Sequence, residues 1–381
     1  MITAATILLI FNVLVKAIIA FSLLILAHEF GHFIVAKKSG VWVEEFGFGL
    51  PPRLWGKKIG ETIYSLNLLP IGGFVRLHGE TQDGKPSYPK RAFINKSKKK
   101  RVAISLAGVL ANFVLAVLAF AILYSFQGIT KEEGVKIVEV VLDSPAASAG
   151  FAKEDQVFTV NDEQVLNVAS FQEITAQKKD QELKIVVKRQ EAELVEKTLV
   201  VTPRSDHPKD QGPLGLVIAP IKTYVYYPPL WQRPFVGVIY GFKDALFLSR
   251  AIVVGLFGLA SEVSQAQIPE GVVGPFGILA LFAYVAKLGI LPLINFTGVF
   301  SVNLAILNLV PFPPLDGSRV LFIGIEGILG KKILPKIESG AHIAGMIILI
   351  ALMLALTSRE IPKLLKADSI SSFVESILPV E

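Results

Sequence analysis

Four stretches of this chain are long enough and apolar enough to cross a lipid bilayer, and no other feature restricts its fold so severely. A spanning helix takes about 20 mostly apolar residues, because its backbone polar groups find no water in the hydrocarbon. Leu8 to Ala27 carries a single charge, Lys16, and the apolar run continues past Phe30 into Ile34, Val35 and Ala36. Val102 to Phe126 and Gly289 to Leu315 carry no charge, although Pro311, Pro313 and Pro314 break the second of these. Ser339 to Ser358 has only His342 as a titratable group. The first stretch lacks the charged n-region of a secretion signal and is too long for one. Charged residues make up 18% of the 381, against roughly 25% in ordinary soluble proteins, which argues against a soluble chain.

Two further segments are ambiguous. Pro234 to Ala260 is apolar on average but interrupted by Lys243, Asp244 and Arg250, and it reads as an amphipathic helix lying in the membrane interface. Val272 to Val285 is short, contains Gly274, Pro275 and Gly277, and reads as re-entrant or surface-bound. Together they could instead form an inserted hairpin. Orientation follows from the basic residues. The loop between the first two spans holds fourteen Lys and Arg residues, from Lys37, Lys38, Arg53, Lys57 and Lys58 through Lys85 to Lys98–Arg101, and is therefore expected in the cytoplasm. Lys331, Lys332 and Lys336 place the loop before the last span on the same side, whereas Arg359, Lys363 and Lys366 run against the rule. The net charge of +6 is thus absorbed by loops beside a lipid bilayer, and no nucleic-acid partner is needed to explain it.

The outward region between the second and third spans contains a β-rich pattern. Val135 to Leu142, Val157 to Val160, Leu183 to Lys188 and Thr198 to Val201 read as strands, with helices expected after Asp143-Ser144-Pro145 and over Val168 to Gln177. The fold class is therefore a polytopic α-helical membrane protein of about four spans with an inserted β-rich extracytoplasmic domain.

Chemistry concentrates in His28-Glu29-Phe30-Gly31-His32. Residues four apart share one face of a helix, so two imidazoles can converge on one metal ion while the intervening Glu29 stands close enough to act as a general base. All three sit in an apolar span, where ionisable groups are expensive and by default functional. Cysteine is absent, so a metal must be held by His, Asp or Glu. A catalytic zinc needs a third protein ligand. The metzincin pattern fails, because Val35 and Lys38 stand where its glycine and third histidine belong. Glu44, Glu45 and Glu61 remain possible, but Asp316 fits better, since the first and third spans run in the same direction and bring both motifs to a similar depth. His78 and His207 read as solvated loop residues and His342 as an interfacial one, none of them a ligand.

HEFGH on the first span, Asn308-Leu-Val-Pro-Phe-Pro-Pro-Leu-Asp316-Gly317 on the third and an outward β domain between them resemble the site-2 protease family, the M50 intramembrane zinc metalloproteases, in its bacterial form with one PDZ domain. The resemblance implies one Zn²⁺ per chain held by His28, His32 and Asp316, with Glu29 as catalytic base. It also implies a bacterial cytoplasmic-membrane enzyme that cleaves membrane-spanning protein substrates already trimmed outside, such as anti-sigma factors or signal-peptide remnants. Leu69 to Val75 resembles the family's membrane-associated β-hairpin; Gly72, Gly73 and Phe74 together with Asn308 are expected at the substrate, the alternatives being a hairpin that packs the loop on the membrane surface and an Asn308 that caps the broken helix. Lys100 to Phe113, with Gly108 and Asn112, resembles the start of its second span. Gly212, Leu214 and Gly215 resemble a PDZ carboxylate-binding loop, although the usual Pro-Gly-Asp turn of that domain is replaced by Lys153-Glu154-Asp155. The implied organisation is a membrane half over 1–126, a PDZ-like domain over 127–222, interfacial helices over 223–288 and a second membrane half over 289–381. A non-catalytic scaffold that binds extracytoplasmic partners through the PDZ-like domain is the competing class, and Glu29 argues against it, since a scaffold needs no base.

Overall fold

The computed structural model describes residues 4–80, 86–190, 194–208, 211–264, 273–330 and 335–377. Lys85, Lys331, Lys332 and Val272 lie outside them. Two compact units divide the chain, Met1–Phe126 with Leu230–Glu381, and Gln127–Pro229 inserted between them. In chain order the first unit opens with α1 (Ala4–Lys38), β1 (Val43–Ile59), β2 (Thr62–Leu77) and α2 (Lys98–Gln127). The inserted unit follows with β3 (Ile129–Glu133), β4 (Val135–Val140), α3 (Pro145–Ser148), β5 (Gln156–Val160), β6 (Glu163–Gln164), α4 (Val168–Gln177), β7 (Leu183–Gln190), β8 (Leu194–Val201), β9 (Leu216–Ala219) and β10 (Lys222–Tyr226). The chain then returns through α5 (Arg233–Ser264), α6 (Pro275–Leu288), α7 (Ile290–Leu309), α8 (Asp316–Leu329), α9 (Pro335–Lys366) and α10 (Ile370–Ile377).

Four helices among the described residues are long and apolar enough to cross a membrane: Phe11–Lys38, Lys98–Gln127, Ile290–Leu309 and Ile337–Lys366. They match the four expected segments, and the chain is a multi-pass membrane protein. Val13, Ala17, Ala20 and Leu24 recur at helical spacing along α1 and bury against Phe282, Ala283 and Ala286 of α6 and Leu293 of α7. Small residues on both sides let these backbones approach closely, which is how helices associate without a hydrophobic drive in lipid.

Residues 234–260, expected as an amphipathic helix, fall within α5. α5 runs lengthwise and antiparallel along α2. Its Arg233 carbonyl accepts from Ser125 Oγ, and a Cβ on Gly237 or Gly241 would stand 2.5 Å from Ala121 O or 2.7 Å from Val117 O. Ala245 then packs with Ala116, Val117 and Phe120 of α2 and Val302 of α7. Asp244, which reads as solvent-facing, takes a hydrogen bond from Tyr124 of α2, whereas Lys243 and Arg250 are exposed. α6, at 14 residues, is too short to span and packs on α1 and α7.

The hairpin expected near Leu69–Val75 is larger than its motif. β1 pairs with β2 twice, so that Phe46 lies opposite both Val75 and Tyr64 and Gly47 opposite both Phe74 and Ser65. Pro51 and Pro52 hide β1 in the sequence, since proline demotes a strand reading. The sheet packs on the C-terminal half of α1 through Phe33, whose ring meets those of Phe46 and Tyr64 at 5.1 and 6.0 Å.

In the inserted unit one sheet runs β8-β7-β5-β4-β9, with β6 paired to β5. Its inward residues, among them Val135, Ile137, Val160, Leu183, Ile185 and Val187, close over Phe171 of α4 and Leu214. Ser144 caps α3, and Asn167 with Ser170 forms a capping box on α4. The unit ends at Pro229, beyond the expected 222, because β10 pairs with β3. Asp155, in the divergent turn, is fully buried; it accepts from Ala152 N and holds Arg189 through two contacts of 2.6 and 2.7 Å.

Candidate metal centre

The long helix α1 continues through HEFGH because no proline breaks it, and it sets the two histidines on one face. Their Nε2 atoms lie 3.1 Å apart. Asp316 arrives from the other end of the chain. α7 stops at Leu309, the proline-rich segment after it cannot continue a helix, and α8 restarts at Asp316. Gly317 permits this restart, since a Cβ there would collide with the carbonyls of Leu309 and Val310. Asp316 Oδ2 thereby reaches 2.9 Å from His28 Nε2 and 3.2 Å from His32 Nε2. Among the described residues, these three form the one cluster with the ligand types and spacing to hold a metal ion.

The donor set fits zinc. Its three edges of 2.9, 3.1 and 3.2 Å approach the ~3.3 Å that tetrahedral bonds of about 2.0–2.1 Å subtend. His32 Nδ1 donates to Ile104 O at 2.7 Å, so the neutral ring turns the lone pair of Nε2 toward another imidazole nitrogen and a carboxylate oxygen. Such a meeting of electron-rich atoms calls for a cation between them.

The other carboxylates considered for the third ligand are engaged elsewhere. Glu44 bonds His78 Nδ1 at 2.7 Å, Glu45 pairs with Arg53 at 2.6 Å, and Glu61 pairs with Arg91 at 2.7 Å. His78 is not a solvated loop residue, contrary to expectation. It is buried against Trp42, bonds Glu44 and accepts from Tyr88 N, because strand β2 carries it under the 3-10 turn at Pro89–Arg91. His207 is half-exposed in a loop, and His342 faces Ser318 Oγ at 3.2 Å.

Glu29 is partly buried beside the cluster, and Gly73 of β2 lies against it: a Cβ on Gly73 would meet Glu29 Cγ at 3.5 Å. Gly72 takes the left-handed conformation at φ +98°, and the Phe74 ring covers Gly47, so all three residues of the expected substrate strand lie in the segment that borders Glu29. Asn308 sits half-buried in the last turn of α7, and no hydrogen bond joins it to the three ligand candidates. Gly212, Leu214 and Gly215 form a turn in the inserted unit, with Leu214 buried and Gly215 at φ +73° accepting from Val141 N.

Sequence reasoning missed the supports of the centre. Arg319 of α8 ion-pairs with Glu80 just after β2, tying the Asp316 segment to the β1–β2 sheet. A cavity of about 470 Å³ opens next to that pair, lined by Glu80, Arg101, Pro314, Arg319, Glu338 and His342 among others. Gly108 of α2 faces both imidazoles so closely that a Cβ would collide with His32 Nε2 and stand 2.6 Å from His28 Nε2. The Gly108–Asn112 spacing was the available signal, since both fall on the α2 face that carries Ile104.

Residues 16–352 match the description of peptidase family M50. A Clostridium perfringens relative is 32% identical over 348 residues, covering 91% of this chain and 98% of its own. The zinc metalloprotease RasP of Oceanobacillus iheyensis is 28% identical over 92% of this chain and 99% of its own. The regulator of sigma-W protease RasP of Bacillus subtilis is 26% identical over 93% and 99%. This chain belongs to peptidase family M50 and is a zinc-dependent protease.

Proposed function

We propose that the protein is an intramembrane endopeptidase that hydrolyses peptide bonds within membrane-spanning segments of substrates trimmed beforehand on the outer side. The observation that carries this reading is the position of His28, His32 and Asp316. All three lie on or directly after helices long and apolar enough to span a bilayer. In the proposed roles those three hold one zinc ion and Glu29 is the general base. A bound zinc supplies Lewis acidity, polarising the scissile carbonyl and acidifying a water molecule. Glu29 takes the proton from the attacking water and returns it to the leaving amine. Ile104 O keeps the His32 ring in one orientation throughout.

A helical peptide has its carbonyls engaged, so a substrate span must unwind locally before it can be cut. Gly73 to Leu77 pairs with β1 along one edge, and its Gly73 end borders Glu29. An extended substrate added to this strand would bring its backbone to the base, with affinity from main-chain hydrogen bonds. Asn308 is proposed to bind that backbone as well.

The inserted unit is proposed to be a PDZ-like extracytoplasmic domain that filters substrates, and the host membrane a bacterial cytoplasmic membrane. The strand and helix order of the unit and the basic loop after α1 support both readings. The Bacillus subtilis relative is named as a regulator of sigma-W, which favours membrane-anchored anti-sigma factors as one substrate class. The test is cleavage of a panel of trimmed single-span substrates by purified protein, with and without a chelator. Cleavage at a site inside the apolar span that stops on chelation is expected; cleavage confined to extramembrane segments would refute the intramembrane reading.

A further inference from the structure

Three positions one turn apart on α2 face the two histidines, and each meets them with a different group. The Ile104 carbonyl accepts from His32 Nδ1, Gly108 leaves room for both rings, and the Asn112 amide nitrogen Nδ2 stands 3.4 Å from His28 Nδ1. Asn112 is fully buried, and its Oδ1 has no hydrogen-bond partner. Its backbone is fixed from the other side, where Ser301 Oγ of α7 donates to Asn112 O at 2.7 Å.

The direction of the amide decides where His28 keeps its proton. If Nδ2 donates to Nδ1, the proton of the neutral ring moves to Nε2, which points at His32 Nε2 and Asp316. That is the atom whose lone pair a metal requires. Rotating the amide by 180° about its last bond exchanges two groups of nearly equal size and brings Oδ1 to Nδ1. The oxygen then accepts, Nδ1 keeps the proton, and Nε2 is free.

We propose that Asn112 is a positioning residue for the zinc centre: its Oδ1 accepts the Nδ1–H of His28 and holds the tautomer whose Nε2 faces the metal. Asn112 does for His28 what the Ile104 carbonyl does for His32. The inference rests on His28 being a zinc ligand. An amide in place of a carboxylate adds no further negative charge beside Asp316 and Glu29.

The test measures zinc affinity of the full-length, detergent-solubilised protein by chelator competition, without turnover. Asn112→Leu keeps similar volume and removes the acceptor, and it should weaken zinc binding by about 10–100-fold, as loss of a partner behind a metal ligand does. Asn112→Asp can only accept, and it should stay within about threefold of wild type. Equal loss in both variants would mean that the amide donates or only packs, and wild-type affinity in Asn112→Leu would mean that it does nothing for the metal; either overturns the proposal. A third measurement needs no variant. In zinc-loaded wild-type protein labelled with ¹⁵N-histidine, His28 should show a hydrogen-bonded, downfield Nδ1–H, and its absence overturns the proposal even if Asn112→Leu fails to fold. His28→Ala separates the two levels: zinc retained there sinks the ligand assignment itself, whereas zinc lost there but kept in Asn112→Leu sinks only the role of Asn112.

Discussion

His32 Nε2 lies 3.2 Å from Asp316 Oδ2 across a separation of 284 residues. The contact joins the first spanning helix to the helix that follows the third, so the centre cannot assemble until both membrane halves have packed. Zinc retention therefore reports on the whole membrane unit.

Asp316→Ala should lose zinc strongly while Glu61→Ala keeps it, because the Glu61 carboxylate belongs to an exposed pair with Arg91. Metal analysis of purified variants after dialysis checks this. Full zinc in Asp316→Ala together with loss in Glu61→Ala would reassign the third ligand.

Glu29→Gln should retain zinc and fold yet lower turnover by at least about 10²–10⁴-fold, the usual worth of a positioned proton-transfer group. The amide keeps the side chain's shape but cannot accept the proton from water. Near-normal cleavage of a trimmed substrate by this variant would point to a different base.

Gly108→Ala should damage the centre through the two imidazoles. Its Cβ would have to push both imidazoles away, and overpacking of this kind costs about 1–3 kcal/mol. Weaker zinc binding in chelator competition, with the four spans still inserted, is the expected result. Gly255→Ala, inside helix α5 with open space around a new Cβ, should leave zinc unchanged and serves as the control.

Arg189→Ala should destabilise the inserted unit selectively. Asp155 is completely buried, and removing its guanidinium leaves a carboxylate without its counter-charge, a defect that costs about 3 kcal/mol or more. Limited proteolysis should then cut within 127–229 first. Equal protease resistance in variant and wild type would show that Arg189 contributes nothing to the fold.

Deleting 127–229 should separate two readings of that unit. Ser125 Oγ lies 3.3 Å from Arg233 O, so a short linker can close the gap. If the unit filters by size, cleavage of trimmed stubs persists and untrimmed substrates become cleavable. If Gly212–Leu216 instead captures the new C-terminus of a trimmed substrate, stub cleavage disappears while zinc is retained.

The local periods of this chain were legible from its residues. Long apolar runs with few or no charges marked the four spans, because lipid imposes a length and a composition on any helix that crosses it. The i, i+4 pair His28 and His32 declared its shared face for the same reason, since helical geometry is set by the backbone alone. The β-branched strands and capped helices of the inserted unit were likewise local matters. Three things were not local. β1 was hidden by Pro51 and Pro52, and only its double pairing with β2 makes it a strand. The packing of α5 along α2, where Tyr124 takes up Asp244, was not legible either, because an amphipathic pattern does not say whether its polar face meets water or another helix. Asp316 was preferred over Glu44, Glu45 and Glu61 from the parallel run of the first and third spans, but only the tertiary structure shows that those three carboxylates already have partners. Residue type shows what a side chain can bind, whereas the tertiary structure decides what is left free to bind it, and at this centre that decision rests on the α2 face carrying Ile104, Gly108 and Asn112.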